Sequence, residues 1–156
     1  MLSPEFLTAD RVRVNVEASS RKDALQSLSL LLASGPGSLT AAEIFELLDQ
    51  RERLGSTCLG NGVAVPHGRD PALDQPVGAL LRFVTPVDFD AGEDAEISVA
   101  VGLMLPEKEA GDLSTVVSAL RRAASPQALQ SAATPEAAVT AVRSCLPPPN
   151  NVNGTD

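Results

Sequence analysis

The chain of 156 residues has few of the residues that mark several common protein classes. It contains no Trp or Tyr, and an aromatic content of 3% offers little for stacking on nucleic-acid bases. Only two cysteines occur, Cys58 and Cys145, which are too few for a disulfide framework in a domain of this size. One histidine and two cysteines give no metal-ligand spacing, so neither a metal nor a cofactor is predicted.

Long apolar runs and basic runs are also missing. No run of about 18 apolar residues is present, so no direct membrane insertion is predicted. The opening segment, MLSPEFLTADR, lacks the basic and apolar stretches of a secretory signal, which favours a cytoplasmic protein. A net charge of −8 argues against a nucleic-acid partner and favours docking onto proteins with a positive rim. The absence of a P-loop, a Rossmann fingerprint and a nucleophile elbow disfavours a classical metabolic enzyme.

The hydrophobic periodicity predicts an α/β fold. Valines alternate with polar residues over 12–16, which is typical of a strand with one exposed face. Apolar residues at helical spacing, preceded by capping residues, predict helices over about 21–34 and 41–55. Near-continuous apolar runs at 77–84 and 97–105 predict strands that are covered on both faces.

The C-terminal part is predicted to be mainly helical. Apolar residues recur at helical spacing over 113–120, and Ser-Pro and Thr-Pro pairs at 125–126 and 134–135 predict two short helices. The prolines at 147–149 end the regular structure, and 148–156 is predicted to be a flexible tail. The fold class that follows is a single α/β domain over 1–147, with a mixed sheet of about five strands sandwiched by helices.

The segment Gly60–Arg69, GNGVAVPHGR, contains the only histidine of the chain. A short strand at 63–65 is predicted to end at Pro66, which places His67 on a stiffened turn. Gly68 is predicted to permit a sharp exit from this turn and leaves space beside the imidazole. Neutral imidazole is a nucleophile with a pKa near working pH, so it can accept a phosphoryl group and later release it. The alternative is a structural or incidental histidine, because the local pattern is short.

Two stretches resemble a known signature: RERLGST at 51–57 and GNGVAVPHG at 60–68. They resemble the active site of fructose/mannitol-type enzyme IIA domains of the bacterial phosphoenolpyruvate-dependent phosphotransferase system, and of the nitrogen-regulatory members in particular. The resemblance implies one enzyme IIA type-2 domain over 1–147, with His67 phosphorylated through Nε2. It also implies that Arg51 lies near the phosphoryl group, where a planar guanidinium suits phosphate oxygens. From the residues alone, the favoured interpretation of Arg51 is an ordinary solvated or salt-bridged side chain at a helix end.

The sequence departs from this family at one position. The resemblance implies a second active-site histidine on the helix after Pro106, where this chain has Ser114. A hydroxyl can donate one hydrogen bond but carries no charge.

Three functions remain as hypotheses. The first is a regulatory phosphocarrier, in which His67 accepts a phosphoryl group from an HPr-like protein and the phosphorylation state regulates target proteins. The second is a sugar-specific enzyme IIA that passes the phosphoryl group to an enzyme IIB during fructose or mannitol uptake. The third is a regulatory binding module without chemistry, motivated by Ser114. Only the first two make the chain a phosphotransferase with a phosphohistidine intermediate.

Overall fold

The computed structural model describes residues 2–90, 92, 95–108 and 111–147. Two short 3-10 turns, Pro4–Phe6 and Ala9–Arg11, precede the helices and strands of this part. The helices and strands are β1 (Val12–Val16), α1 (Arg21–Ala33), α2 (Ala41–Leu54), β2 (Cys58–Gly60), β3 (Val63–Ala64), β4 (His67–Arg69), β5 (Val77–Asp88), β6 (Glu96–Leu105), α3 (Asp112–Ala124) and α4 (Pro135–Arg143). The predicted flexible tail at 148–156 lies outside the described residues.

The strands of the described residues form one mixed sheet around β5 and β6. Its order is β1-β5-β6-β3-β2, and β4 pairs with β6 alongside β3. Strands β5 and β6 are antiparallel, β1 is parallel to β5, and both β3 and β4 are parallel to β6. The predicted α/β fold class is confirmed, with six strands rather than about five. The two strands without a named counterpart in the sequence analysis are β2 and β4, and each is too short to show a period in the sequence.

Helices cover both faces of the sheet, so each central strand contributes to two cores. Helices α1 and α2 cover one face, where small residues such as Ala79 and Ala100 allow close packing. At Gly102 a Cβ atom would lie only 3.1 Å from the Leu32 side chain of α1. Helices α3 and α4 and the N-terminal turns cover the other face. Strands β3 and β6, together with Val65 after β3, contribute apolar side chains to the core on that face. These are Val63, Val65, Val99, Val101, Leu103 and Leu105.

Side-chain caps begin three of the four described helices. Thr40 and Glu43 form a reciprocal capping box at α2: the Thr40 hydroxyl accepts from the Glu43 N–H, and the Glu43 carboxylate accepts from the Thr40 N–H. At α1 the box is incomplete, because the Asp23 carboxylate accepts from Ser19 instead of Ser20. Hydrogen bonding to Ser19 also lowers the pKa of Asp23. These caps account for the predicted helix starts.

One predicted helix start in the C-terminal half and the predicted end of β5 are wrong. The Ser125–Pro126 pair does not begin a helix, since residues 126–131 form turns and Gln127 adopts a φ of +69°. The Thr134–Pro135 pair does begin one, with the Thr134 hydroxyl accepting from the Ala137 N–H. Strand β5 continues past Val84 to Asp88. Its register shifts between Arg82 and Val87, where Pro86 has no N–H group to donate to the neighbouring strand.

The turn between β2 and β3 fixes the strand that leads to His67. Gly60, Asn61 and Gly62 all have positive φ angles, of +85°, +56° and +78°. The Gly62 carbonyl then accepts hydrogen bonds from the N–H groups of Ser98 and Val99 at 2.8 and 3.1 Å, which joins the turn to β6. Left-handed backbone favours glycine, so the two glycines are conformational requirements here.

We expect Gly62→Ala to destabilise the protein more than Gly60→Ala. Both changes place a Cβ on left-handed backbone, at a cost of roughly 1–2 kcal/mol. At Gly60 the added Cβ meets nothing within 4 Å, whereas at Gly62 it meets the Ser98 hydroxyl at 2.8 Å. Displacing that hydroxyl from the Gly62 carbonyl adds about 1 kcal/mol. Urea unfolding measures the loss of unfolding free energy in each variant. When Gly62→Ala is made in the Ser98→Ala protein, its cost relative to that protein should fall to the cost of Gly60→Ala. A cost of Gly62→Ala that stays higher would contradict the explanation.

Candidate functional site

His67 lies on a strand instead of the predicted turn. It is the first residue of β4 and pairs with Leu103 of β6, so both side chains face α3. The ladder continues across Pro66, because its carbonyl accepts from the Leu103 N–H at 3.0 Å. The position is therefore stiffer than a turn, and the half-buried imidazole is held at a defined place on the sheet.

The imidazole is held by one hydrogen bond to the backbone. Its Nδ1 lies 2.9 Å from the carbonyl oxygen of Val65. A carbonyl can only accept, so Nδ1 carries the proton and donates it, and in the neutral ring the lone pair is on Nε2. Nε2 is the other ring nitrogen, and this hydrogen bond does not use it. This is the nitrogen that can act as a nucleophile.

The surroundings keep His67 neutral. Burial is the largest effect and lowers the pKa of His67 below its ordinary value of 6.5, and the positive charges of Arg51 and Arg69 lower it further. The Val65 carbonyl and the negative charge of Glu52 oppose this by raising the pKa. At pH 7 the ring is thus mainly uncharged, with its Nε2 lone pair present.

Arg51 reaches His67 from the end of α2. Helix α2 packs against β4 so closely that a Cβ on Gly68 would lie 3.0 Å from the Leu47 Cβ. Gly68 has no positive φ, so its role is to admit α2 and not to provide the predicted sharp exit. The half-buried Arg51 donates to the Gly55 carbonyl at 2.9 Å, and its charge acts on His67. The structure thus brings together the two residues that the sequence paired.

Arg69 is a second cation that sequence reasoning missed. It follows His67 by two residues on β4 and pairs with Leu105, so both side chains leave the same face of the strand. Its guanidinium donates to the Pro106 carbonyl at 3.0 Å, and its charge lowers the pKa of His67. Residues two apart on a strand face the same way, so the spacing would have placed Arg69 on the same face as His67. This inference needs the knowledge that His67 lies on a strand.

Glu52 and Thr57 were also missed. Both are buried, and the Thr57 hydroxyl donates to the Glu52 carboxylate. The Thr57 carbonyl accepts from the Val65 N–H at 3.0 Å, which fixes the residue that in turn holds His67. A sequence signal existed, because Ile44, Leu48 and Glu52 recur every four residues, which places Glu52 on the buried face of α2.

Ser114 contributes no charge to this site. It lies exposed in the first turn of α3, and its hydroxyl donates to the Gly111 carbonyl at 2.9 Å. Within the described residues, that carbonyl and not His67 is its hydrogen-bond partner. The positive charges around the imidazole therefore come from Arg51 and Arg69.

In the described part of the chain, no group of three or more His, Cys, Asp or Glu residues is arranged to hold a metal ion. Cys58 and Cys145 form no disulfide bond with each other. None of the helices among these residues is both long and apolar enough to span a bilayer.

The geometry agrees with comparisons to known proteins. The family model described as "Phosphoenolpyruvate-dependent sugar phosphotransferase system, EIIA 2" matches residues 5–144. The chain belongs to this family. It is 38% identical over 137 residues to a nitrogen regulatory protein of Pseudomonas aeruginosa, covering 85% of this chain and 89% of that protein. The range 5–144 of the family match includes both stretches that carry the resemblance, 51–57 and 60–68.

Solved enzyme IIA structures share the fold. The nitrogen regulatory protein IIA-Ntr of Neisseria meningitidis superposes with a TM-score of 0.79 at 33% identity, covering 89% of this chain and 97% of that one. An Escherichia coli complex of enzyme IIAMTL with phosphorylated enzyme IIBMTL gives a TM-score of 0.70 at 22% identity, covering 88% and 96%. The first relationship places this chain among IIA-Ntr-like homologues, and the second shows the common fold alone.

Proposed function

We propose that this enzyme IIA homologue is a regulatory phosphocarrier whose His67 accepts a phosphoryl group from an HPr-like protein. The observation that supports this most is the neutral His67, with Nδ1 bound to the Val65 carbonyl and Nε2 available near two arginine charges. Phosphoryl transfer needs in-line positioning of the nucleophile and stabilisation of charge on the phosphoryl oxygens. The strand provides the first, and Arg51 and Arg69 provide the second.

The transfer forms one bond and breaks another. The Nε2 lone pair forms the N–P bond, while the bond between phosphorus and the donor breaks and its electron pair leaves with the donor. The phosphoryl oxygens keep their negative charge, and the arginine guanidinium groups can pair with them. Release to an acceptor reverses these steps, so His67 carries the group only temporarily.

The regulatory role rests on what the phosphoryl group does to the surface. It adds negative charge at a half-buried ring, which weakens contact with acidic partner surfaces and strengthens contact with arginine-rich ones. Partners that bind the two states with different affinities then respond to the phosphorylation level. The identity to the P. aeruginosa nitrogen regulatory protein supports regulation as the outcome.

Phosphoryl transfer to the wild-type protein tests the proposal. The chain is incubated with labelled phosphoenolpyruvate, enzyme I and an HPr-like protein, and the control omits the HPr-like protein. We expect one phosphate per chain that is acid-labile and base-stable, as a phosphohistidine is. No label on this chain, alongside an active enzyme IIA as positive control, would instead support the binding module without chemistry.

The pH dependence of phosphorylation should follow the neutral form of His67. Protonation removes the Nε2 lone pair, so the rate falls as pH drops through the pKa of His67. Because burial and two arginines hold that pKa below 6.5, more than half of the chains are neutral at pH 6.5. We expect the single-turnover rate at pH 6.5 to exceed half of its value at pH 8, with the donor phosphorylated beforehand. A midpoint above pH 6.5 would contradict this description of the site.

Transfer onward to an enzyme IIB is the second candidate. The structure of enzyme IIAMTL in complex with phosphorylated enzyme IIBMTL supports it, because that enzyme IIA shares the fold of this chain. Adding a purified enzyme IIB to the labelled protein distinguishes the two roles. Rapid loss of label to enzyme IIB favours sugar uptake, whereas label retained on this chain favours regulation by phosphorylation state.

A further inference from the structure

Three consecutive hydrogen bonds join the end of α2 to the imidazole. The Thr57 hydroxyl donates to the Glu52 carboxylate, the Val65 N–H donates to the Thr57 carbonyl at 3.0 Å, and His67 Nδ1 donates to the Val65 carbonyl at 2.9 Å. Each bond uses a different group of Thr57 or Val65, so all three exist at once. Val65 is thereby held through its N–H group and holds His67 through its carbonyl.

The buried carboxylate in this chain is costly unless it has a partner. Glu52 is 5% exposed and Thr57 is 7% exposed. An aliphatic residue at this position of α2 would avoid the penalty of removing a carboxylate from water. A stability role alone therefore does not account for Glu52, whereas its charge acts directly on His67.

We infer that Glu52 and Thr57 are a positioning pair, which holds the Val65 carbonyl against Nδ1 and so fixes the tautomer that leaves Nε2 as the nucleophile. Without a fixed acceptor at Val65, the proton of a neutral imidazole can occupy either nitrogen. This inference deepens the proposed function, since it names the groups that prepare the same histidine. Neither residue needs to touch the phosphoryl group, because both act through Val65.

The pair also serves the phosphorylated state. When the N–P bond forms at Nε2, the proton on Nδ1 stays in place and both ring nitrogens are substituted, so the ring gains positive charge. The Val65 carbonyl accepts a stronger hydrogen bond from this ring, and the negative charge of Glu52 stabilises it. In the proposed transfer Arg51 and Arg69 pair with the phosphoryl oxygens, whereas the negative charge of Glu52 acts on the ring.

The single histidine makes the inference directly measurable. Labelling with 15N-histidine gives the ring signals of one imidazole, because the chain has one His in 156 residues. The 15N shifts of the neutral ring report which nitrogen carries the proton, and a pH titration reports the pKa. The wild type should show a protonated Nδ1 and an unprotonated Nε2 above the pKa.

Three substitutions separate charge from positioning. Glu52→Gln keeps an acceptor for the Thr57 hydroxyl and removes the charge, so the tautomer should stay and the pKa of His67 should fall. Thr57→Ser keeps the hydroxyl and should keep both properties. Thr57→Val removes the donor, so the two tautomers should mix and phosphorylation should slow on the order of tenfold, as for second partners of metal-binding histidines. Glu46→Gln, on the exposed side of α2, is the matched control and should change neither property.

The outcomes are decisive in both directions. If Thr57→Val retains the wild-type tautomer, or Glu52→Gln leaves the pKa of His67 unchanged, the positioning pair is overturned. If Thr57→Val does not fold, the smaller Thr57→Ala removes the same hydroxyl and should mix the tautomers in the same way, so a wild-type tautomer in Thr57→Ala also overturns the pair. The spectra need no phosphoryl donor, so a chain that takes no label but shows these shifts overturns the phosphocarrier and supports the pair.

Discussion

Substituting His67 with alanine is expected to abolish transfer of labelled phosphate to this chain. The chain has no other histidine, so no other imidazole can accept the group. Serine and threonine hydroxyls are poor nucleophiles unless a base activates them, and the Ser114 hydroxyl donates a hydrogen bond to the Gly111 carbonyl. Incorporation should fall from one phosphate per chain to none, as measured by labelling with phosphoenolpyruvate, enzyme I and an HPr-like protein.

The stability of the bound phosphate in acid separates the possible failures of this prediction. Phosphate on a hydroxyl is acid-stable, whereas phosphate on imidazole is lost in acid, so acid-stable label on His67→Ala would indicate a serine or threonine acceptor. Ser114→Ala is the matched control and should accept as much phosphate as the wild type. Acid-labile label that persists on His67→Ala would rule out the assigned acceptor, and circular dichroism would show that the variant is folded.

The long elements of the fold were predictable because their signals are local. The caps at Thr40 and Thr134 lie directly beside the backbone N–H groups that they satisfy, so four residues of sequence contain the whole signal. The apolar runs of β5 and β6 indicated strands covered on both faces, and helices do cover both faces of the sheet. The predicted helix start at Ser125–Pro126 was wrong. The local signal of a helix start is present there, but the chain forms turns.

The shortest elements were not predictable, since long-range pairing creates them. Strand β4 exists because His67, Gly68 and Arg69 pair with β6, more than thirty residues later in the chain. Period cannot be seen in three residues, so the sequence indicated a turn at His67 and left Arg69 without a role. Gly68 was attributed to a sharp exit, whereas the close approach of Leu47 explains it, and no local pattern reports such an approach.

The site was predicted in part, through residues that a resemblance could place. The charge of Arg51 acts on His67 in the structure, and the roles of both residues in phosphoryl transfer stay predictions. Glu52 and Thr57 belong to the same quoted stretch, but only the three-dimensional path through Val65 relates them to the imidazole. Val65 takes part through its backbone N–H and carbonyl, which every residue except proline has. Its residue type therefore does not indicate these hydrogen bonds.

Arg51→Gln should slow phosphorylation of His67 by about 10²–10³-fold. Removing one preorganised donor from developing oxyanion charge costs about 2.7–4 kcal/mol in enzymes that have been tested by mutation. Arg51 is half-buried, which limits screening by water, and its hydrogen bond to the Gly55 carbonyl holds it near the ring. Arg51→Lys keeps the charge without the planar fork and should be intermediate, because lysine cannot pair with two phosphoryl oxygens in one plane.

A change in His67 itself has to be separated from the lost contact with phosphate. Arg51 lowers the pKa of His67, so Arg51→Gln raises it and protonates more of the ring near neutral pH. Rates are therefore compared at pH 8, where the ring is mainly neutral in both proteins. Arg53→Gln is the matched control, since Arg53 is exposed on the same helix, bonds to Asp49 at 2.9 Å and should change the rate less than twofold. If Arg51→Gln also stays within twofold at pH 8, Arg51 does not stabilise the transferring group, and Arg69 remains as the arginine to be tested in that role.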